Sequence, residues 1–216
     1  MNSLSYIGAE WVRCDLHLHS PGINTFVLPS GTNISSTKAK DEIVEIYIDK
    51  LKDANIKIGA ITDYNIIRQG WFLPIQQRAK EENINIFPGV ELAIGNVGGK
   101  YGLHMLIIFN EDEDIDGINR FIHSLDKNPN IPLVSDNGKH RDLESQYITE
   151  DIVRKIRDNY KKTIIVFCHP EDNNGIFKSF QPKECSRLIK SIKPDALEYI
   201  SDFCKNKLVS TGELSK

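Results

Sequence analysis

At 216 residues, with 40% hydrophobic and 26% charged side chains, the chain is long enough to bury a large core and has the composition of a globular protein, not a disordered or fibrous one. Its net charge of -3 supplies no global pull toward nucleic acid, although a local basic surface is compatible with it. No apolar run approaches the roughly 18 residues of a membrane span, and the opening MNSLSYIGAEWVR lacks the basic start and apolar stretch of a secretion signal, so no membrane association and a cytoplasmic location are expected.

In chain order, WVRCDLHL (11–18) reads as a first strand, and DEIVEIYIDKLKDAN follows as a helix with Ile43, Ile46, Ile48 and Leu51 near helical spacing. IKIGAIT (56–62) is a short apolar strand, IIRQGWFLPIQQRAKEEN is helical on either side of Pro74, and NINIFPGVELAI returns to strand. LHMLIIF (103–109) is a fourth strand, and the preceding IGNVGGKYG reads as a hairpin; it fails as a phosphate loop because Tyr101 stands where Ser or Thr should ligate magnesium. The acidic run at 111–116 suits the first turn of the helix around DIDGINRFIHSL better than a cation site. The polar stretch 127–146 is a long loop, TEDIVRKIRDNY a helix with Thr149 as its N-cap, KTIIVFC a strand, PKECSRLIKSI a helix with Pro182 near its start, and DALEYIS a last strand. The alternation predicts one α/β domain, a mainly parallel sheet or barrel whose chemistry gathers at the C-terminal strand ends.

That placement turns scattered residues into a constellation. His17 and His19 close the first strand, and their alternate spacing in an extended segment sends both to one side. Asp63 closes the second strand, Glu91 follows Pro88 and Gly89 on the third, and His169 follows the fifth. His104 stands early in the fourth strand, where its direction is undetermined. Imidazoles and a carboxylate from separate strand ends suit Zn²⁺, Mn²⁺ or Fe²⁺. Asp15 and Asp63 fit the role of partners that orient histidines, or plain structural caps. His123 and His140 are expected to be incidental, Ser20 lacks a nucleophile elbow, and Arg68, Lys100 and Arg141 are generic candidates for substrate phosphate. The four cysteines, Cys14, Cys168, Cys185 and Cys204, form no C-x-x-C and read as reduced thiols, with Cys14 and Cys168 as small apolar strand residues.

The motifs DLHLHS, ITDYN, PGVEL, GLHMLIIF and FCHP occur in the order of the PHP family, the polymerase and histidinol phosphatase domains, and residues 11–200 resemble that family. The combination of CDLHLHSP with ITDYN is similar to PHP modules found ahead of an AAA-like or SMC-like ATPase. The resemblance implies a distorted TIM-like barrel of about seven βα units, (β/α)7, and a hydrolase acting on a phosphodiester or phosphomonoester, a nuclease or nucleotide-processing module among the options. It also implies that His17 and His19 hold one divalent ion, that Glu91 bridges it to a second, and that His104 and His169 complete the second; Glu91, His17 and His19 are then the catalytic set. Two departures shape the expectation. Tyr64 stands where the family often has a histidine, which favours two ions over three, and no Asp-x-His motif appears before Lys216. Asp202 and Cys204 offer that spacing but follow ALEYIS too closely, so the chain is expected to be an N-terminal fragment that stops before the last strand, with the ATPase as a partner domain in a longer chain. The same departures support an alternative, a catalytically degenerate module that binds metal or nucleic acid.

Overall fold

The computed structural model describes residues 11–28, 37–95 and 102–198. Six strands form one sheet in chain order, β1 (Arg13–Leu18), β2 (Ile56–Tyr64), β3 (Asn85–Ile94), β4 (Leu103–Ile108), β5 (Ile164–Phe167) and β6 (Ala196–Leu197). Helices α1 (Thr37–Asp53) and α2 (Gln69–Glu81) link the first three strands. Helix α3 (Ile115–Ser124) and helix α4 (Thr149–Asn159) lie between β4 and β5, and α5 (Ile176–Ser179) and α6 (Pro182–Ile192) lie between β5 and β6.

The sheet is mixed: three of its five strand pairs are parallel, and the antiparallel β3/β4 pair agrees with the hairpin expected between them. β1, β2 and β3 run parallel, β4 is antiparallel to both β3 and β5, and β5 is parallel to β6. The reversal follows from the chain itself, because only the eight residues 95–102 separate the end of β3 at Ile94 from the start of β4 at Leu103, and a parallel pair needs a crossover of a dozen or more residues. Six strands in an open order make an α/β fold with a curled half-barrel, compatible with part of a TIM-like barrel; a seventh unit is not found among the described residues. The glycine-rich residues 96–101, Lys100 among them, and the SDFC stretch with Asp202 and Cys204 lie outside the described residues.

Alternation along the strands sorts the two faces of the sheet. Val90, Leu92, Ile94, Met105, Ile107, Ile165 and Phe167 join the main core, which the helices cover with Ile48, Phe72, Ile75, Ile122, Ile156 and Leu188. On the other face, Leu106, Val166 and Cys168 form a small separate cluster. Helix α1 buries Ile43, Val44, Tyr47, Ile48 and Leu51, an i, i+4 stripe, whereas Ile46 is 40% exposed and does not share the buried face as its apolar character suggested. Pro74 sits inside α2, which is continuous across it, so the expected break is absent. Pro182 occupies the first turn of α6 as expected, while the N-cap of α4 is Ile148 and Thr149 is its first helical residue. The acidic run does serve a helix start, since the Asp114 carboxylate accepts from Asp116 N–H at 3.1 Å. Gly89 lets the central strands approach, because a Cβ there would stand 2.8 Å from the Thr62 methyl and 3.1 Å from Ile107 O.

Ile48 is fully buried and Ile46 is not, so Ile48→Ala should cost about 2–5 kcal/mol in denaturant unfolding. Ile46→Ala should stay within about 0.5 kcal/mol.

Candidate metal centre

The reversed strand decides the centre. The C-terminal ends of β1, β2, β3 and β5 share one edge of the sheet with the N-terminal start of β4. His104 pairs with Ala93 in the β3/β4 ladder and Leu106 pairs with Glu91, so Glu91 and His104 share a face. The uncertainty over His104 is thereby removed: an early position in an antiparallel strand is a late position on the sheet.

Glu91 is 1% exposed and its two carboxylate oxygens look toward different imidazoles. Oε2 lies 3.0 Å from His17 Nε2 and 3.4 Å from His19 Nε2. Oε1 lies 2.6 Å from His104 Nδ1 and 2.9 Å from His169 Nε2. The five residues expected to converge are therefore brought together from four strands, with His169 meeting Glu91 across 78 positions of sequence. Ligand-type atoms of His17, His19 and Glu91 all fall within 4.8 Å of one another, as do those of Glu91, Cys168 and His169.

Local features aim these groups. The step of three positions from Asp15 to Leu18 in β1 faces a step of two, Gly59 to Ile61, in β2, a bulge at the start of the His-x-His segment. Asp15 accepts from His17 N–H at 3.1 Å and shapes that bulge. Asp63, 1% exposed, accepts from the Ser20 amide at 2.8 Å and hydroxyl at 2.5 Å, and stands 3.7 Å from His19 Nδ1; it is both a turn cap and a histidine neighbour. Asn65, at φ 55°, bonds its side chain to Ala93 N–H and donates its backbone N–H to Glu91 O, which clamps β2 to β3 at the carboxylate. His169 also has positive φ, 29°, an uncommon conformation outside glycine that swings its ring back over the cluster.

Three further groups belong to the centre without having been singled out as site residues. Glu198 accepts from the His169 backbone N–H and lies 3.5 Å from His17 Nδ1, so His17 stands between two carboxylates. Its only sequence signal was a polar residue in the DALEYIS strand, of which the structure describes β6 at Ala196–Leu197. Asn174 holds His104 from both sides: its carbonyl accepts from His104 N–H at 2.9 Å and its side-chain amide meets His104 Nε2 at 3.1 Å. His140, read as incidental, stacks on Tyr64 with ring centroids 3.8 Å apart, and Tyr64 in turn stacks on His19 at 5.1 Å. Tyr64 thus forms an aromatic wall between His19 and His140. The loop that delivers His140 is tied down by Arg141, whose guanidinium bonds Asp126 and the Ile131 carbonyl; Arg141 clamps the loop and is not free for phosphate. Arg68 donates to Ser135 O at 2.8 Å on the same loop.

The electrostatics suit a cation site. Burial opposes ionisation of Glu91, but hydrogen bonds from His104, His169 and His17 outweigh it and hold the carboxyl well below its usual range. Burial likewise opposes charge on His17, and Glu198 with Glu91 overcomes it, so His17 is pushed up to about 9. Burial pulls His140 below its ordinary value. His19 Nδ1 and His169 Nδ1 are buried without a hydrogen-bond partner among the described residues. Clustered imidazole and carboxylate donors around a buried acid, with orphaned ring nitrogens, are a donor set that fits divalent ions.

Two openings border the cluster. A groove of about 570 Å³ has mainly apolar walls, including Leu18, Phe26, Ile43 and Leu51. A cleft of about 470 Å³ is lined by Tyr64, His104, His169, Asp172, Asn174 and Lys178. The second is the smaller of the two and has the more polar walls.

No protein-family model matches the sequence, and no curated protein is similar to it. Among solved structures, the chain is similar to a Bifidobacterium adolescentis protein provisionally described as a metal-dependent phosphoesterase, at 10% identity and a TM-score of 0.53, covering 93% of this chain and 82% of that one. The likeness is one of fold. No helix among the described residues is long and apolar enough to cross a membrane.

The raised His17 value has a definite sign. Its stabilising effect is complete below the ordinary histidine value of about 6.5 and is lost as pH rises through about 9. Chelator-treated protein should therefore melt at progressively lower temperature across that interval, and His17→Gln should flatten the profile.

Proposed function

We propose that this chain is a metal-dependent phosphoesterase with a two-ion centre bridged by Glu91. The observation that carries the reading is the division of the Glu91 carboxylate, one oxygen toward His17 and His19 and the other toward His104 and His169. The fold shared with the Bifidobacterium protein and the order of the sequence motifs support the same conclusion. In this reading His17, His19 and Glu91 hold the first ion, and Glu91, His104 and His169 hold the second. When bound, divalent ions acidify water to near neutrality and draw charge from a phosphoryl group.

The protein's own residues do the rest. Glu198 orients His17 and Asn174 orients His104, which keeps their ring nitrogens aimed at the cluster, while Asp63 stands 3.7 Å from His19 Nδ1. The Tyr64 and His140 rings wall one side of the cleft, and Lys178 at its rim supplies a positive charge for the phosphate. The Glu91 carboxylate stays charged throughout because its imidazole neighbours suppress protonation.

The substrate is a phosphodiester or phosphomonoester. A nuclease role beside an ATPase in a longer chain is the finer form of this proposal, and its support is the motif resemblance alone. The rival reading, a degenerate metal-binding module, is favoured by one observation: Tyr64 fills the place of a family histidine and is stacked on both sides by His19 and His140.

Metal analysis of the purified chain should find about two ions, and Glu91→Gln should lose at least one of them. Manganese- or zinc-dependent hydrolysis of a generic phosphodiester, abolished by His17→Ala, separates the enzyme from the binding module; loaded protein without any turnover sinks the enzyme reading. Glu198→Ala should weaken metal retention or activity by about 10–100-fold while leaving the fold intact by circular dichroism.

A further inference from the structure

Cys168 is the buried reactive group that the proposed two-ion scheme leaves unused. It is 0% exposed and lies one residue beyond β5, on the face that carries Val166 and Leu106. Glu91 pairs with Leu106, and Leu106 pairs with Val166. The alternation of β5 therefore carries Cys168 to the same face as Glu91, at the end of the sheet where His104 begins β4. Its sulfur is 4.0 Å from Glu91 Oε1, and Glu91, Cys168 and His169 present ligand-type atoms all within 4.8 Å of each other.

The contrast with Cys185 is informative. That thiol is equally buried, but it meets two backbone carbonyls, Ile176 O at 3.1 Å and Phe180 O at 3.5 Å, which is the behaviour of a structural cysteine. Cys168 instead faces a carboxylate that stays ionised. The Cys168 S–H donates to Glu91 Oε1 only at 4.0 Å, long even for sulfur, whereas a cation shared by the two groups would draw on both.

We propose that Cys168 is a ligand of the second ion position, together with Glu91 and His169. The inference rests on the two-ion reading above and adds to it a difference between the positions. The first offers only imidazole and carboxylate, and the second adds a soft sulfur. Thiolate ligation selects zinc or ferrous iron over manganese or magnesium at that position. On binding, the Cys168 S–H proton passes to solvent and the sulfur–metal bond takes its place.

The test uses the whole chain, stripped with a chelator and reloaded with cobalt(II). The expected spectrum has ligand-field bands from cobalt and, in addition, a near-ultraviolet sulfur-to-cobalt charge-transfer band. Cys168→Ser should keep the first and lose the second, and should bind zinc at least about tenfold more weakly with a smaller loss for manganese. A second variant, Cys14→Ser with Cys185→Ala and Cys204→Ser, keeps Cys168 as the only thiol and should retain the band, which preserves the test if Cys168→Ser does not fold. Cobalt bound without a charge-transfer band, or a band that disappears in the second variant, overturns the assignment of Cys168 and leaves the two-ion centre standing. Failure to bind cobalt at all overturns the centre itself and the assignment with it.

Discussion

A carboxylate with almost no solvent exposure, held in its charged form by surrounding imidazoles, is the constraint on which this molecule turns. Burying such a charge costs several kcal/mol unless partners replace the water it loses. Glu91, on β3, finds them on or just beyond three other strands, β1, β4 and β5, and each must therefore present its end at the same place. The close approach at Gly89, the Asn65 clamp on β3 and the reversed direction of β4 are all ways of satisfying that requirement. Removal of any one imidazole leaves a share of the charge without compensation.

The surrounding groups are less conspicuous but equally directional. A histidine ring has two nitrogens, and aiming one requires holding the other. Glu198 faces the far nitrogen of His17, Asp63 stands near that of His19, and Asn174 meets that of His104. His169 is positioned differently, by a left-handed backbone and by the bond from its amide to Glu198. One acid on β6 flank thus steadies two histidines from β1 and β5. Beside His19 the cluster is bordered by stacked aromatic rings, Tyr64 between His19 and His140.

Much of this was legible from residue order. The β and α elements follow hydrophobic periodicity closely, and His17, His19 and His169 declare themselves by lying at or near strand ends, whereas Glu91, expected after the third strand, lies inside β3 with three strand residues beyond it. Other parts were not. Glu198 looks like an ordinary polar residue of a short strand, and nothing within several positions of it hints at His17. His140 sits in a loop whose composition suggests only turns, yet Arg141 and the buried Leu143 tie that loop down beside Tyr64. Cys168 reads as a small apolar strand residue, which its burial supports, while its nearness to Glu91 depends on two ladder registers that no local pattern encodes. Ile46 and Thr149 show the limit at smaller scale, since one-residue shifts in a helix face or cap depend on what packs against them.

By itself, the order of residues determined the element types, the apolar stripes and the inventory of metal-seeking side chains, because those depend on spacings of a few residues. The tertiary structure alone decided the register of β4 that brings His104 to the face of Glu91, and that Glu198, Asn174 and Cys168 lie beside them. These outcomes rest on strand register, where a shift of one residue would turn each side chain to the opposite face.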